Sequence, residues 1–224
     1  MKKQITVAID GPAGAGKSTV ARRIAAKLGF LHIDTGAMYR AVALWARRTN
    51  TAASDMHRLQ QLAEAARIEF VAGQPTVLLN GEDVTEAIRT PEITSAASEI
   101  SRIPAVRRAL VAKQREMAVD TSVVMEGRDI GTVVFPEAGV KIFLDAHPEE
   151  RVGRRAAEKD LPPHVVSSEI IERDERDRTR AESPLVQAPD AVYVDTTGLS
   201  IDEVEAALLR IIRERTSNGR ERTN

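Results

Sequence analysis

The sequence predicts an α/β protein: a parallel five-stranded sheet with helices on both faces, carrying a small antiparallel sheet as an insert. Three observations predict it. Five short segments, Ile5–Asp10, Phe30–Asp34, Ser122–Glu126, Lys141–Asp145 and Ala191–Asp195, have the apolar character of strands buried on both faces. Helical patterns separate them, which is the sequence signature of a wound parallel sheet. Between the second and third, Ile68–Val71, Thr76–Leu79 and Asp83–Val84 are divided by Gly73-Gln74-Pro75 and Asn80-Gly81-Glu82. These are hairpin turns, the Asn-Gly pair being the stronger.

At 224 residues the chain has enough length for a substantial core, and 42% apolar with 29% charged residues is ordinary globular composition. A net charge of -1 and 3% aromatic residues argue against nucleic acid as partner, since stacking platforms need rings. No apolar run approaches the roughly 20 residues that cross a bilayer, so no membrane role is expected. Lys2-Lys3 leads straight into a strand rather than a signal-peptide core, so a cytoplasmic protein is expected; a monomer is the expected assembly. The absence of cysteine excludes disulfides and thiolate chemistry, and His32, His57, His147 and His164 lack metal-ligand spacing. His32, within the second strand, reads as packing.

Taken in order, the first strand breaks into Gly11-Pro12-Ala13-Gly14-Ala15-Gly16-Lys17-Ser18-Thr19, the full G-x-x-x-x-G-K-[ST] phosphate loop. A helix with Val20, Ile24 and Leu28 on one stripe follows at once. Glycines let backbone N–H groups curl round an anion, and the helix aims its positive end at the same point. Lys17 is placed to reach the β/γ-phosphates and the Ser18 hydroxyl to ligate Mg²⁺. A nucleoside-triphosphate site is the implication.

The second strand ends in Asp34-Thr35-Gly36-Ala37-Met38-Tyr39-Arg40. Two readings stay open here: Asp34 as a helix cap, or Thr35 and Arg40 as a second anion site. The third strand runs into Met125-Glu126-Gly127-Arg128-Asp129-Ile130-Gly131-Thr132, where glycines let the backbone approach a ligand closely. Arg128 and Asp129 are adjacent, and adjacent residues rarely face one another, so a ligand role outweighs a private ion pair. Helices are expected over Pro91–Ile103 and Pro104–Val119, each with proline in its first turn.

After the fourth strand, Arg151, Arg154 and Arg155 share a helical face, and Glu158–Pro163 reads as a loop ending in two prolines. Arginines on such a flap suit phosphoryl transfer, where positioning and charge neutralisation dominate. In the charged stretch Ser167–Arg180, the residues Arg173, Asp177 and Arg180 fall on one narrow face. Taken alone that stretch reads as a solvated helix, whose exposed pairs contribute only about 0.3–0.5 kcal/mol each. Seven of the 32 basic residues are lysine and the rest arginine. That bias fits bidentate phosphate recognition, or equally a GC-rich genome, so placement must decide. The last helix opens with the capping box Ser200-Ile201-Asp202-Glu203 and presents Ile201, Val204, Leu208, Ile211 and Ile212 as its apolar face. The polar end, Thr216–Asn224, is expected to fray.

The runs Ile9–Thr19, Asp34–Arg40, Glu126–Thr132 and Arg173–Arg180, with Ser183-Pro184-Leu185 and Asp195-Thr196-Thr197, together resemble the bacterial cytidylate kinases over nearly the whole chain. The resemblance implies transfer of the γ-phosphate of ATP to CMP and dCMP with Mg²⁺, in pyrimidine metabolism. It implies one kinase domain with core 1–50, 104–150 and 166–216, a monophosphate-binding insert about 51–103, a lid about 151–165 and a tail 217–224. By resemblance, Thr35, Arg40 and Arg128 hold the acceptor phosphate and Ser98, Arg107 and Asp129 read cytosine. Arg173 and Asp177 bind the sugar, Arg180 sits by the phosphates, and one or more of Arg151, Arg154 and Arg155 reach ATP. Lys17, Arg128 and Arg180 are the expected catalytic cations. The base assignment also has chemical logic: Asp129 accepts from the cytosine amine and Arg107 donates to its acceptors, whereas uracil turns a carbonyl toward Asp129. The alternatives are a kinase for another monophosphate such as UMP, or a P-loop switch. The second lacks any Asn-Lys-x-Asp guanine signature.

Overall fold

Burial of period two along the strands sorts the side chains into two layers. In the computed structural model, which describes residues 4–221, β1 (Thr6–Asp10) turns Val7 and Ile9 to one face and Ala8 to the other. On the first face they meet Val20, Ala21 and Ile24 of α1 (Lys17–Leu28) and Val204, Leu208 and Ile212 of α8 (Ile201–Glu221). Each buried Val, Leu or Ile side chain among these stabilises the fold by about 1.5–3 kcal/mol. The opposite face is covered by α2 (Thr35–Arg48), α3 (Met56–Ala65), α4 (Pro91–Ile100) and α5 (Pro104–Glu116).

The main sheet is parallel throughout. Its order is β2 (Leu31–Asp34), β6 (Val123–Gly127), β1, β7 (Val140–Asp145) and β8 (Val192–Asp195). Register pairs Asp34 with Glu126 and Asp10 with Gly127, so the ends of three strands arrive level. Ligands of wound sheets gather at this carboxyl edge, where the strand order reverses.

The insert is the expected antiparallel sheet, β3 (Ile68–Phe70), β4 (Val77–Leu79) and β5 (Glu82–Asp83). Asn80 and Gly81 take φ of 53° and 88°, the left-handed pair that a two-residue hairpin turn demands. Ile68, Val77 and Leu79 share the core of α2 to α5, so the insert packs on the main body.

Several boundaries differ from the sequence expectation. The helix α3, capped by Asp55, has no counterpart there. The helices α4 and α5 stop at Ile100 and Glu116, short of Ile103 and Val119. The loop expected over Glu158–Pro163 shrinks to a tight turn. Helix α6 (Pro148–Lys159) continues to a left-handed Asp160, and α7 (Pro163–Thr179) starts at the second proline. These two helices close on a small core of their own, Ala156, Val166 and Ile170 with Val152. The final helix is regular to Glu221 rather than fraying from Thr216; positions 222–224, like Lys2 and Lys3, lie outside the described residues. Among the described residues no helix is long and apolar enough to cross a membrane.

Candidate active site

The phosphate loop is fixed by close packing at its first glycine. Gly11 has φ +150°, and a Cβ there would lie 1.9 Å from the Leu144 carbonyl oxygen. Gly16, left-handed at φ 85°, starts α1. Lys17 is buried, and its Nζ donates to the Pro12 carbonyl at 2.6 Å. Burial first, then the nearby charge of Arg128, pushes the Lys17 ammonium down to about 7. Asp10, at the end of β1, accepts from the N–H groups of Ile130 and Gly131 at 2.8 and 2.7 Å, which ties the turn after β6 to the loop strand. Burial raises its carboxyl to about 6 in spite of those bonds.

Ser18 Oγ donates to Glu126 Oε2 at 2.8 Å. One hydroxyl and one carboxylate at the head of a phosphate loop form a hard oxygen pair. They suit Mg²⁺, which takes one or two protein ligands and completes its shell with phosphates and water. Among the described residues no cluster of three or more His, Cys, Asp or Glu able to hold a metal alone occurs.

Beside the loop lies a polar pocket that collects Thr35, Arg40, Ser98, Arg107, Arg128, Asp129, Arg173, Asp177 and Arg180 from α2, α4, α5, the β6 end and α7. Every residue assigned by resemblance to the acceptor lines this one pocket. Tyr39, Thr94 and Ser101 line it too. Five arginines against two aspartates give a cationic wall suited to a dianionic phosphate. Arg40 Nε, Arg107 Nε and Arg180 Nη2 are buried without a hydrogen-bond partner, donors for which a ligand is the natural acceptor. Among the described residues no carboxylate comes within ion-pair distance of Arg173. Burial, then repulsion from Arg128, lowers its guanidinium to about 10.

The arginine–aspartate pairs resolve the alternatives left by the sequence. Arg128 Nε donates to Asp177 Oδ2 at 2.7 Å, while Asp129 accepts from Arg107, so Arg128 and Asp129 do not pair with each other. Burial alone would raise the Asp177 carboxyl; Arg128 and Arg173 outweigh it and hold it below its usual range. Asp34 caps α2 by accepting from Ala37 N at 3.0 Å, and it also holds Arg40 Nη2 at 2.8 Å. The Thr35 hydroxyl donates to the Glu126 carbonyl at 2.7 Å, so its proton is committed to the backbone and a phosphate would meet its N–H or lone pairs. Tyr39 stands 5.7 Å under the Arg107 guanidinium, and burial pushes its phenol up to about 12.

The three arginines of α6 differ. Arg151 is buried, donates to the Ala13 carbonyl at 3.0 Å and pairs with Asp174, which in turn accepts from Ala13 N at 3.3 Å. It therefore grips the phosphate-loop backbone from α6 rather than projecting from a flap. Arg154 donates to Thr196 Oγ1 and Thr196 O at 2.9 and 2.7 Å, beside Gly16. Arg155 pairs with exposed Glu158 at 2.8 Å. His32 is more than packing: its Nε2 lies 3.1 Å from Glu126 Oε1. Sequence reasoning missed Glu126, Asp174 and Tyr39 as site residues. The signal for Glu126 was its place, an acid ending the strand that pairs with the phosphate-loop strand.

A model of the cytidylate kinase family matches residues 7–214. The chain belongs to the cytidylate kinase family. Membership makes it a nucleoside-monophosphate kinase that draws on ATP. It is 63% identical to a cytidylate kinase of Solibacter usitatus over 98% of this chain and 97% of that one. It is 50% identical to one of Ligilactobacillus salivarius, over 96% and 99%. A gluconokinase structure from Sinorhizobium meliloti aligns over both whole chains with TM-score 0.51 at 14% identity. An uncharacterized Eubacterium ventriosum protein aligns over 94% and 99% with TM-score 0.56 at 11% identity. These two likenesses concern the fold alone.

Proposed function

We propose that this chain transfers the γ-phosphoryl group of ATP to CMP, and to dCMP, with Mg²⁺ held at Ser18 and Glu126. A phosphate oxygen of the acceptor attacks the γ-phosphorus in line, the bond to the β-phosphate oxygen breaks, and ADP and CDP leave. No side chain acts as nucleophile. Catalysis consists of positioning the two phosphates and neutralising charge that spreads over the migrating group. Lys17, whose ammonium feels the charge of Arg128, and Arg128 itself supply that charge between the two sites, and Arg180 completes the wall. When bound, Mg²⁺ adds neutralisation of the triphosphate oxygens.

Cytosine recognition falls to the Arg107–Asp129 pair. Asp129 faces the exocyclic amine and Arg107 the ring acceptors, and Ser98 lies on the same pocket wall. Asp177 and Arg173 take the sugar, while Arg40 and Thr35 take the acceptor phosphate. The insert at about 51–103 forms the acceptor side. The lid at about 151–165 forms the donor side, with Arg154 the arginine nearest Gly16. The cysteine-free composition supports a cytoplasmic setting for this enzyme.

The observation that carries the reading is the gathering of five arginines and the Arg107–Asp129 pair in one pocket beside Lys17. ADP release measured with CMP, dCMP, UMP and AMP as acceptors tests it. The expected result is turnover with CMP and dCMP far above the other two; a preference for UMP would overturn the assignment of Asp129.

A further inference from the structure

We infer that His32 is a positioning residue for the divalent-cation site, acting through Glu126. The inference rests on the proposed placement of Mg²⁺ at Ser18 and Glu126. His32 lies on β2, the edge strand, two residues before Asp34, which pairs in register with Glu126 across the β2–β6 ladder. Its imidazole reaches the same carboxylate from the sheet edge. Glu126 is nearly inaccessible, and its side chain has two hydrogen-bond partners among the described residues, one for each oxygen. Oε2 accepts from Ser18 at 2.8 Å and Oε1 lies 3.1 Å from His32 Nε2.

An ionised carboxylate only accepts, so His32 must present its Nε2–H to Glu126. That bond fixes the rotation of the carboxyl plane, which in turn decides where Oε2 points relative to Ser18. A glutamate has three rotatable side-chain bonds, and a single bond to the Ser18 hydroxyl would leave the other oxygen free to turn inward. Outer partners of this kind orient ligating carboxylates, and their loss typically costs about 10–100-fold in metal affinity. Filling space requires none of this. A side chain of similar bulk with no donor would pack equally well in a partly exposed edge position, whereas only a donor satisfies Oε1.

The test is Mn²⁺ binding, read by electron paramagnetic resonance, to the full chain in complex with a non-hydrolysable ATP analogue. Wild type is compared with His32→Leu, His32→Gln, Ser18→Ala and Glu126→Gln, and metal-free analogue binding and melting temperature are measured alongside. The expected result is about tenfold weaker Mn²⁺ binding in His32→Leu, with metal-free analogue affinity unchanged. His32→Gln, which keeps a donor, should recover most of the loss, and the KM for Mg²⁺ should rise in His32→Leu while the KM for CMP holds. Wild-type Mn²⁺ affinity in His32→Leu overturns the inference, as does equal weakening in His32→Leu and His32→Gln. If Ser18→Ala and Glu126→Gln also bind Mn²⁺ normally, the cation is misplaced and both the inference and the metal part of the proposed function fall. If those two weaken and His32→Leu does not, only the inference falls.

Discussion

Lys17 titrates in a range where its role can be read from protons. Buried and facing Arg128, its ammonium sits at about 7, against 10.5 for an unperturbed lysine. At pH 8 about nine-tenths of it is then neutral in the protein alone. A bound triphosphate brings several negative charges to Nζ and restores the proton, so ATP binding at pH 8 should take up about 0.9 proton. Above pH 7 the affinity for ATP should weaken by up to about tenfold, or about 1.4 kcal/mol, per pH unit until the lysine in the complex itself titrates. Stability of the protein alone runs the opposite way with pH. The unfolded chain keeps the Lys17 proton up to about 10.5 while the folded chain releases it near 7. This group therefore favours folding increasingly as pH rises between those values. Calorimetry of ATP binding without divalent cation, at pH 8 in two buffers of very different ionisation enthalpy, measures the uptake. Lys17→Met should abolish the buffer dependence and lower turnover by about 10²–10³-fold or more, without unfolding the chain. Equal heats in the two buffers for the wild type would refute the reasoning.

Asp129→Asn exchanges an acceptor-only group for one that can also donate. The preference for CMP over UMP in kcat/KM should shrink by about tenfold to a hundredfold, and an unchanged ratio would remove Asp129 from base recognition. Asp174→Ala removes the nearer carboxylate of buried Arg151, leaving Asp145 at 3.6 Å, and frees Ala13 N, so stability should fall by about 1–3 kcal/mol in denaturant titration. The double change Arg151→Met with Asp174→Leu should recover much of that loss while ATP binding stays weak, because the phosphate loop has lost its grip from α6 and α7.

What could be read from the sequence follows from the range of each interaction. The five core strands were legible because each is a short apolar run that ends in an acid. The hairpin was legible because Asn80-Gly81 encodes a turn locally. Helix α3 was not, since Leu59, Leu62 and Ala63 form a thin stripe among Gln, Glu and Arg. Most members of the polar pocket beside the phosphate loop were legible because they fall within motifs, although Ser98 and Arg107 came only through resemblance to the family. Arg151 was misread as a flap residue because its partners, Ala13 and Asp174, lie far away in the chain. His32 was misread as packing for the same reason, its acceptor being 94 residues distant. Ion pairs formed across a fold leave no local periodicity.

The central claim is that CMP binds in the arginine-lined pocket next to the phosphate loop, and a crystal structure with CMP bound tests it most directly. The account predicts the phosphate against Arg40 and Arg128, with the cytosine amine on Asp129 and its ring acceptors on Arg107. Density for CMP remote from Lys17, or a base reversed so that no polar edge meets Asp129, would contradict it.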